Sequence, residues 1–247
     1  AKMPAVKLLS NRNLLLMNIS NFMQKMLMSA AFIVIPIAIV KYFGMDKKDL
    51  SGIYSVATVF GFIAMGIGGA IGETKRITKQ ILVIGVSLFV VCYGLFALSL
   101  GHKPLFYAGV IIFFIGFNLH EPILQSMASK FSKVSQKGAV LGIFNAFGYM
   151  GSFIGGIGGG TLLKFYGLSA LSAVVTVLCV VWLIALKWLD NPNIFKNIYL
   201  PSNTDADLAE IEKQKGVVEC YKNAQNLVVK YNSRLTNEAE IKQILGV

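Results

Sequence analysis

Six long and mostly apolar stretches, separated by short polar connections, constrain this chain more than any other feature of its sequence. An α-helix needs about 20 predominantly apolar residues to cross the hydrocarbon core of a bilayer. The six stretches meet that requirement, and they are Asn13–Val40, Leu50–Ile71, Ile81–Leu100, Leu105–Ala128, Gly138–Leu163 and Leu168–Leu189. The sequence therefore predicts an all-α transmembrane domain of six spans over residues 1–190.

The composition supports a membrane protein and argues against the other broad classes. Hydrophobic residues make up 55% of the 247 residues and charged residues only 14%, whereas a soluble domain carries about 25% charged residues. So much apolar surface also excludes an intrinsically disordered chain. Cys92, Cys179 and Cys220 lie far apart without ligand spacing, so the sequence predicts neither a disulfide scaffold nor a metal site. The low charged fraction argues against a soluble enzyme, and we expect no enzymatic activity and no cofactor.

The position of the charges predicts the orientation in the membrane. Residues 1–190 hold 16 Lys and Arg against 5 Asp and Glu, whereas residues 191–247 hold 7 of each. The basic residues flank the apolar stretches and form no continuous basic face, so we expect no nucleic-acid partner. If the N-terminus lies in the cytoplasm, the segments on the cytoplasmic side of the membrane carry ten basic residues and those on the opposite side carry five. The positive-inside rule then predicts both ends of the chain in the cytoplasm. We also expect the chain to lie in the cell membrane, that is, the inner or plasma membrane.

The spans are of three types, and the order of types occurs twice. The first and fourth spans carry polar residues, the second and fifth are rich in glycine, and the third and sixth are the most uniformly apolar. This order matches the inverted three-helix repeats, 3+3, within each six-helix half of a major-facilitator-type transporter. It predicts that the polar helices face a water-filled pathway and that the third and sixth spans, with Cys179, face lipid.

The first span carries one polar stripe. Its residues are spaced 3, 4 and 4 apart and share a helix face: Asn18, Asn21, Lys25 and Ser29. A lysine near the middle of a span costs roughly 2.5–3.5 kcal/mol on insertion scales, so Lys25 should face water or a counter-charge. It either lines the substrate pathway or reaches a lumen in a structural role. Gln24 lies off this face and is interpreted as a packing residue.

The fourth span carries a second stripe, formed by Asn118, Glu121 and Gln125 at spacings of 3 and 4. Glu121 is the one acidic residue inside any predicted span, close in depth to Lys25. It is a candidate proton-binding site on the substrate pathway. The alternative is a helix-locking or gating hydrogen bond beside Pro122. His120 points away from this face.

The glycine-rich spans are interpreted as packing surfaces. The Gly-rich run before Thr161 lacks the Gly-Lys-Ser/Thr ending of a phosphate-binding loop. Small residues four apart instead let helices approach closely, as in the pairs Gly68/Gly72, Gly138/Gly142, Gly151/Gly155 and Gly156/Gly160. The fifth span also has a weaker polar stripe, formed by Asn145, Tyr149 and Ser152. This stripe either lines the pathway or forms an interhelical hydrogen bond.

Residues 193–247 predict a small soluble domain of the order βαββα. Ile194–Leu200 reads as a strand, Thr204 begins a helix, and Val217–Tyr221 with Leu227–Tyr231 reads as a hairpin. Thr236 caps a last helix. This is an α+β, ferredoxin-like pattern without its final strand. Its core is small, so we expect it to dock on the membrane domain or on a partner.

Two segments resemble a known family. The fourth span and its following loop, Phe117–Ser126 with Ser129-Lys130, are similar to the tenth helix of YajR-like major facilitator transporters. Val228–Lys230 with Ser233–Glu238 resembles their C-terminal YAM domain. The resemblance implies that the six spans are the seventh to twelfth of that family. Because the chain also begins with Ala1 and not Met, we expect an N-terminal six-helix half as its missing partner.

The resemblance also implies a gating loop and an activity. The family repeats a Gly-x-x-x-Asp-Arg loop motif where this chain has Gly69, Gly72, Glu73, Lys75 and Arg76, with Thr74 in the place of the Arg. The implied activity is proton-driven efflux of small, often amphipathic molecules, with protons as the coupled ion. Two alternatives stay open: a facilitator or symporter for a sugar or other metabolite, and a membrane-anchored sensor whose tail recruits a partner.

Overall fold

The computed structural model describes residues 8–202 and 208–244. Within them, five helices are long and apolar enough to cross a membrane. They are α1 (Arg12–Phe43), α2 (Lys47–Thr74), α3 (Thr78–Leu98), α4 (Lys103–Phe131) and α5 (Lys137–Ala185). The side chain of Asn11 caps the start of α1, and Gly44 ends it in the left-handed conformation with a φ of 60°, which glycine adopts without a steric penalty.

The longest helix, α5, contains two spans. Its 49 residues would measure about 74 Å if the helix were straight, but Gly167 has φ 80° and ψ 178° and breaks it. Gly159 before the break lies against Ala30 of α1, and Trp182 after it donates to Ser20, farther back along α1. The chain therefore turns back at Gly167 and crosses the bundle six times. We call residues 137–166 the fifth span and 168–185 the sixth.

The prediction that the sixth span presents Cys179 to lipid is wrong. Cys179 is fully buried, and so is Cys92 on the third span. Val177 and Val181 lie on the exposed face of the sixth span. Apolar residues suit a lipid-facing surface and a helix–helix contact equally, so the sequence did not separate the two faces. Of the five long helices, the glycine-rich α2 is the least buried.

Close packing joins the fifth span to α1. A Cβ atom on Gly151 would overlap the carbonyl oxygen of Phe22, and one on Gly155 would overlap that of Met26. This confirms the predicted Gly151/Gly155 pair as a small-residue contact of the kind that lets two helices approach closely.

The other predicted glycine pairs differ in their surroundings. The close contact continues at Gly159 and not at Gly160, which makes only ordinary contact with Ile33. Gly68 and Gly72 of α2 pack against side chains, and Gly138 and Gly142 face open space. A spacing of four places glycines on one face without saying which face meets another helix.

The C-terminal residues form a small α+β unit in the predicted order. It consists of β1 (Phe195–Pro201), α6 (Leu208–Lys213), β2 (Val217–Lys222), β3 (Asn226–Asn232) and α7 (Glu238–Ile244). The sheet order is β1-β3-β2, and both pairings are antiparallel. The predicted helix start at Thr204 lies outside the described residues. Cys220 belongs to the core of this unit, as predicted, and the other core residues are Ile198, Leu200, Ile211, Leu227, Val229, Tyr231 and Ile241.

The soluble unit docks on the membrane domain through the opposite face of its sheet. Nζ of Lys230 donates to the carbonyl oxygens of Lys130 at 2.8 Å and Ser132 at 2.7 Å. The backbone N–H of Val134 donates to both carboxylate oxygens of Glu219, at 2.9 and 2.8 Å. All three backbone partners lie at the end of α4 or in the connection to α5, so this connection holds the sheet, and the expected docking is confirmed.

A second contact ties the start of α1 to the soluble unit. Asp190 accepts from Nη2 of Arg12 at 2.9 Å and from Nδ2 of Asn13 at 3.1 Å. Its other oxygen lies 3.5 Å from Nη1 of Arg234, beyond β3. One carboxylate therefore joins the first span, the end of the sixth span and the soluble unit at the same end of the bundle.

Candidate functional site

An ion pair connects the two predicted polar stripes. Nζ of Lys25 on α1 lies 2.9 Å from Oε1 and 3.0 Å from Oε2 of Glu121 on α4. The Lys25 side chain is 24% exposed and that of Glu121 is 44% exposed. The pair is thus neither sealed in the core nor on a fully open surface. Lys25 also lies 5.3 Å from the centre of the Phe117 ring, close enough for a cation–π contact.

Gln24 is a third member of this cluster, which the sequence interpretation missed. Its Nε2 donates to Oε2 of Glu121 at 2.9 Å and to the carbonyl oxygen of Phe117 at 3.3 Å. The expectation that Gln24 lies apart from the stripe is wrong, because α4 packs where the long Gln24 side chain can reach Glu121. Glu121 therefore has one charged and one neutral donor.

The remaining residues of the first stripe differ in burial. Asn18 and Asn21 are buried, and Nδ2 of Asn21 donates to the carbonyl oxygen of Phe144 on the fifth span at 2.7 Å. Ser29 is half-buried. Asn21 therefore links α1 to the fifth span, in addition to lying on the same helix face as Lys25.

A polar cavity of about 320 Å³ extends from Lys25 to the fifth span. Tyr149, at 76% exposure, and the exposed Asn145 contribute to its wall. A Cβ on Gly148 would lie 2.6 Å from Nδ2 of Asn21, so glycine is needed where the fifth span meets this stripe. The structure thus brings residues of the first and fifth stripes into one cavity, lined by Asn21, Lys25, Met28, Asn145, Gly148, Tyr149 and Ser152.

The other polar residues of α4 lie in three environments. Asn118 donates to the carbonyl oxygen of Phe114 in its own helix, at 2.8 Å, and Gln125 is exposed. His120 is fully buried, with Nε2 2.9 Å from the carbonyl oxygen of Leu82 on α3. This confirms that His120 faces away from Glu121.

The predicted gating loop is tied to the end of α4. Glu73, the last acidic residue of α2, accepts from Oγ of Ser126 at 2.6 Å and pairs with Nζ of Lys130. Lys75 and Arg76 follow α2, are exposed, and make none of the described ion pairs. The basic partner of Glu73 is therefore Lys130, which the sequence interpretation did not assign to it.

The two glycines of that loop lie at the same contact. A Cβ on Gly72 would lie 2.8 Å from the Cδ1 of Ile123 and 2.9 Å from that of Ile81, and one on Gly69 would lie 3.7 Å from Pro122. Gly72 therefore allows α2 to approach α4 closely, beside the Glu73 ion pair. Among the described residues, no group of three or more His, Cys, Asp or Glu side chains is placed to hold a metal ion.

Comparison with known proteins decides the family. A family model described as Major Facilitator Superfamily matches residues 8–223. The chain belongs to the major facilitator superfamily. It is therefore a multi-pass membrane protein of that superfamily, and the predicted family is confirmed.

Two curated relatives agree with this assignment. An uncharacterized transporter of Buchnera aphidicola subsp. Baizongia pistaciae is 31% identical over 180 residues, covering 72% of this chain and 45% of the relative. The inner membrane transport protein YajR of Escherichia coli (strain K12) is 26% identical over 246 residues, covering 97% of this chain and 54% of the relative. The chain thus spans about half the length of these relatives.

Solved structures share the fold. A structure of a mutant of the peptide transporter POT in complex with sulfate has a TM-score of 0.64 and 15% identity, covering 75% of this chain and 41% of that one. The POT family transporter PepTSo has a TM-score of 0.59 and 15% identity, covering 76% and 37%. At these identities the similarity shows the fold alone.

Proposed function

We propose that this chain is the C-terminal six-helix half of a proton-coupled efflux transporter for small molecules. The observation that carries the proposal is the Lys25–Glu121 ion pair at 2.9 Å, half-exposed beside a polar cavity. Charged groups inside a span are costly, and in transporters they line substrate and proton pathways. Asn21, which is buried and donates to the carbonyl oxygen of Phe144, has the environment expected of a purely structural link.

Glu121 serves as the proton site in this proposal. Ionised, its carboxylate accepts hydrogen bonds from Lys25 and Gln24. When a proton binds, the carboxyl group becomes neutral, the ion pair is lost, and α1 and α4 are free to separate. Loss of the proton restores the pair. Since the two protonation states favour different helix arrangements, proton binding can drive a change in access to the pathway.

The cavity beside the ion pair suits a small amphipathic substrate. Asn145 and the Tyr149 hydroxyl supply polar contacts, and Met28 and the Tyr149 ring supply apolar surface. The predicted pathway residues Asn18, Ser29, Asn118 and Gln125 extend the same two helix faces. The N-terminal half of the transporter would complete the opposite wall.

Glu73 serves as the gate in this proposal. Its contacts with Ser126 and Lys130 fasten the end of α2 to the end of α4. These contacts lie at the end of the bundle that carries the soluble unit, which the charge distribution predicts to be cytoplasmic. Their formation would hold that side closed, and their loss would let α2 move.

The proposal extends to the architecture and the tail. The chain lies in the inner membrane with both ends cytoplasmic, and its six spans form a 3+3 inverted repeat. The tail is a ferredoxin-like YAM domain. The antiparallel sheet order β1-β3-β2 supports that assignment, since a ferredoxin-like sheet without its last strand has this order.

Proton flux in inverted membrane vesicles tests the proposal. Addition of a cationic amphipathic substrate to energised vesicles containing the complete transporter should release protons, and Glu121→Gln should abolish the release. Gln80→Ala, which changes an exposed glutamine of α3 outside the proposed pathway, is the control and should retain most of the flux. Undiminished flux in the Glu121→Gln variant would refute Glu121 as the proton site.

A further inference from the structure

A second polar cavity lies away from the proposed transport site, between the membrane domain and the soluble unit. Its volume is about 230 Å³. A water molecule occupies about 30 Å³ in the liquid, so the cavity is large enough for several waters or one small anion. Three lysines reach its wall, Lys130, Lys137 and Lys230, together with the hydroxyl-bearing Ser129 and Tyr221.

The cavity carries an excess of positive charge. Its one carboxylate, Glu219, already accepts two hydrogen bonds from the backbone of Val134. Lys130 is paired with Glu73. The exposed Lys137 makes none of the ion pairs found among the described residues. Lys230 also makes none of these ion pairs, so the uncompensated positive charge lies at Lys137 and Lys230.

Lys230 and Lys137 repel each other across this cavity. Burial lowers the pKa of Lys230 below its ordinary value; nearby Glu219 opposes that shift, and the positive charge of Lys137 adds to it. The Lys230 ammonium keeps two hydrogen bonds to backbone carbonyls and has a third N–H to donate. An anion between the two ammonium groups would remove the repulsion and accept that third hydrogen bond.

The cavity also lies at the right depth for a charged group of the membrane surface. It is formed where α4 ends at Phe131 and α5 begins at Lys137, so its floor is at the edge of the apolar helices. Basic pockets between helices at this depth bind anionic lipid head groups.

We propose that this cavity binds a phosphate group, held by Lys137 and Lys230 and by the hydroxyl groups of Ser129 and Tyr221. The phosphate is carried by an anionic phospholipid headgroup or is free in solution. Because the ligand would contact both the α4–α5 connection and the sheet, it would strengthen the docking of the soluble unit.

Thermal unfolding of the protein in nanodiscs tests this site. The three conditions are phosphatidylcholine alone, phosphatidylcholine with phosphatidylglycerol, and phosphatidylcholine with millimolar inorganic phosphate, all at equal ionic strength. We expect phosphatidylglycerol or phosphate to raise the Tm. Lys137→Gln should lose most of that rise and Lys137→Arg should keep it. Lys133→Gln, which removes a lysine of the same connection outside the cavity, should also keep it.

The conditions separate the two sources of phosphate. A rise with phosphatidylglycerol alone identifies the lipid headgroup, and a rise with inorganic phosphate identifies a free anion. Equal Tm values in all three conditions would overturn the proposal. A rise of the same size in the Lys137→Gln variant would also overturn it. Lys137 is exposed, so its replacement leaves the core intact, and the test does not depend on transport.

Discussion

Nζ of Lys25 lies 2.9 Å from Oε1 of Glu121, although 96 positions separate the two residues in the chain. The contact joins the two spans that carry the strongest polar stripes. Gln24 reaches the same carboxylate from the adjoining position of α1. Two side chains thus meet at the carboxylate of a third, and each of the three can be replaced independently to measure its contribution.

Replacing the two charges separately and together should reveal strong coupling. Lys25→Ala leaves Glu121 without its charged partner, and Glu121→Gln leaves Lys25 without its own. Removing one member of a partly buried pair costs more than removing both, so Lys25→Ala with Glu121→Gln should recover part of the lost transport and thermal stability. The measurement is a double-mutant cycle on the Tm and on the efflux rate.

Simple additivity would contradict the pairing. If the defect of the double variant equals the sum of the two single defects, the residues are not coupled. Gln125→Ala combined with Lys25→Ala is the control cycle, since Gln125 is exposed on the same helix as Glu121.

Gly155→Ala should destabilise the membrane domain by about 1–3 kcal/mol, the usual cost of overpacking a close contact. The added methyl group would overlap the carbonyl oxygen of Met26. This oxygen belongs to the backbone of α1, which cannot easily move away from the methyl group. Gly142→Ala adds the same group where nothing lies within 4 Å and is the matched control. The measurement is unfolding in detergent, and equal stability of the two variants would show that the contact is loose.

Thiol labelling should separate buried from exposed positions. The native Cys92, Cys179 and Cys220 are buried, so the folded protein should react slowly with maleimide reagents. A cysteine at Tyr149, which is 76% exposed, should react rapidly, and substrate should slow that reaction if the cavity is on the pathway. Rapid labelling of Cys179 before unfolding would contradict the inward-facing sixth span.

The docking of the soluble unit should strengthen as the pH rises toward 10.5. Burial holds the pKa of Lys230 below its ordinary 10.5, so the folded state binds fewer protons than the unfolded state between the two pKa values. Stability then rises with pH across that window. The measurement is protection of the β3 amides from hydrogen exchange at several pH values, after correction for the intrinsic exchange rate.

Matched variants isolate the contribution of Lys230. Lys230→Met should remove this part of the pH dependence, whereas Lys196→Met, which changes an exposed lysine on β1 of the same sheet, should preserve it. An identical pH profile in the wild-type protein and the Lys230→Met variant would mean that other groups determine the stability of the contact.

Periodicity along the sequence predicted what depends on a single helix or strand. The spans, the stripe containing Lys25, the stripe containing Glu121 and the βαββα order all follow from residue spacing. The roles of Gln24 and Lys130 do not, because each depends on which neighbouring helix approaches and at what distance. For the same reason, the sequence placed Gly159 and Gly160 on adjoining positions without indicating which one meets Ala30.

The reversal at Gly167 has a consequence for biogenesis. Helical structure lies on both sides of this single residue, and Tyr42, near the end of α1, lies beside it. No polar loop separates the two spans, so one span cannot easily stay in the aqueous phase while the other inserts into the bilayer. We therefore expect the fifth and sixth spans to enter the bilayer together as a helical hairpin. A side chain that forbids the positive φ of Gly167 should act first during synthesis, by lowering the yield of inserted protein, before it affects any property of the folded protein.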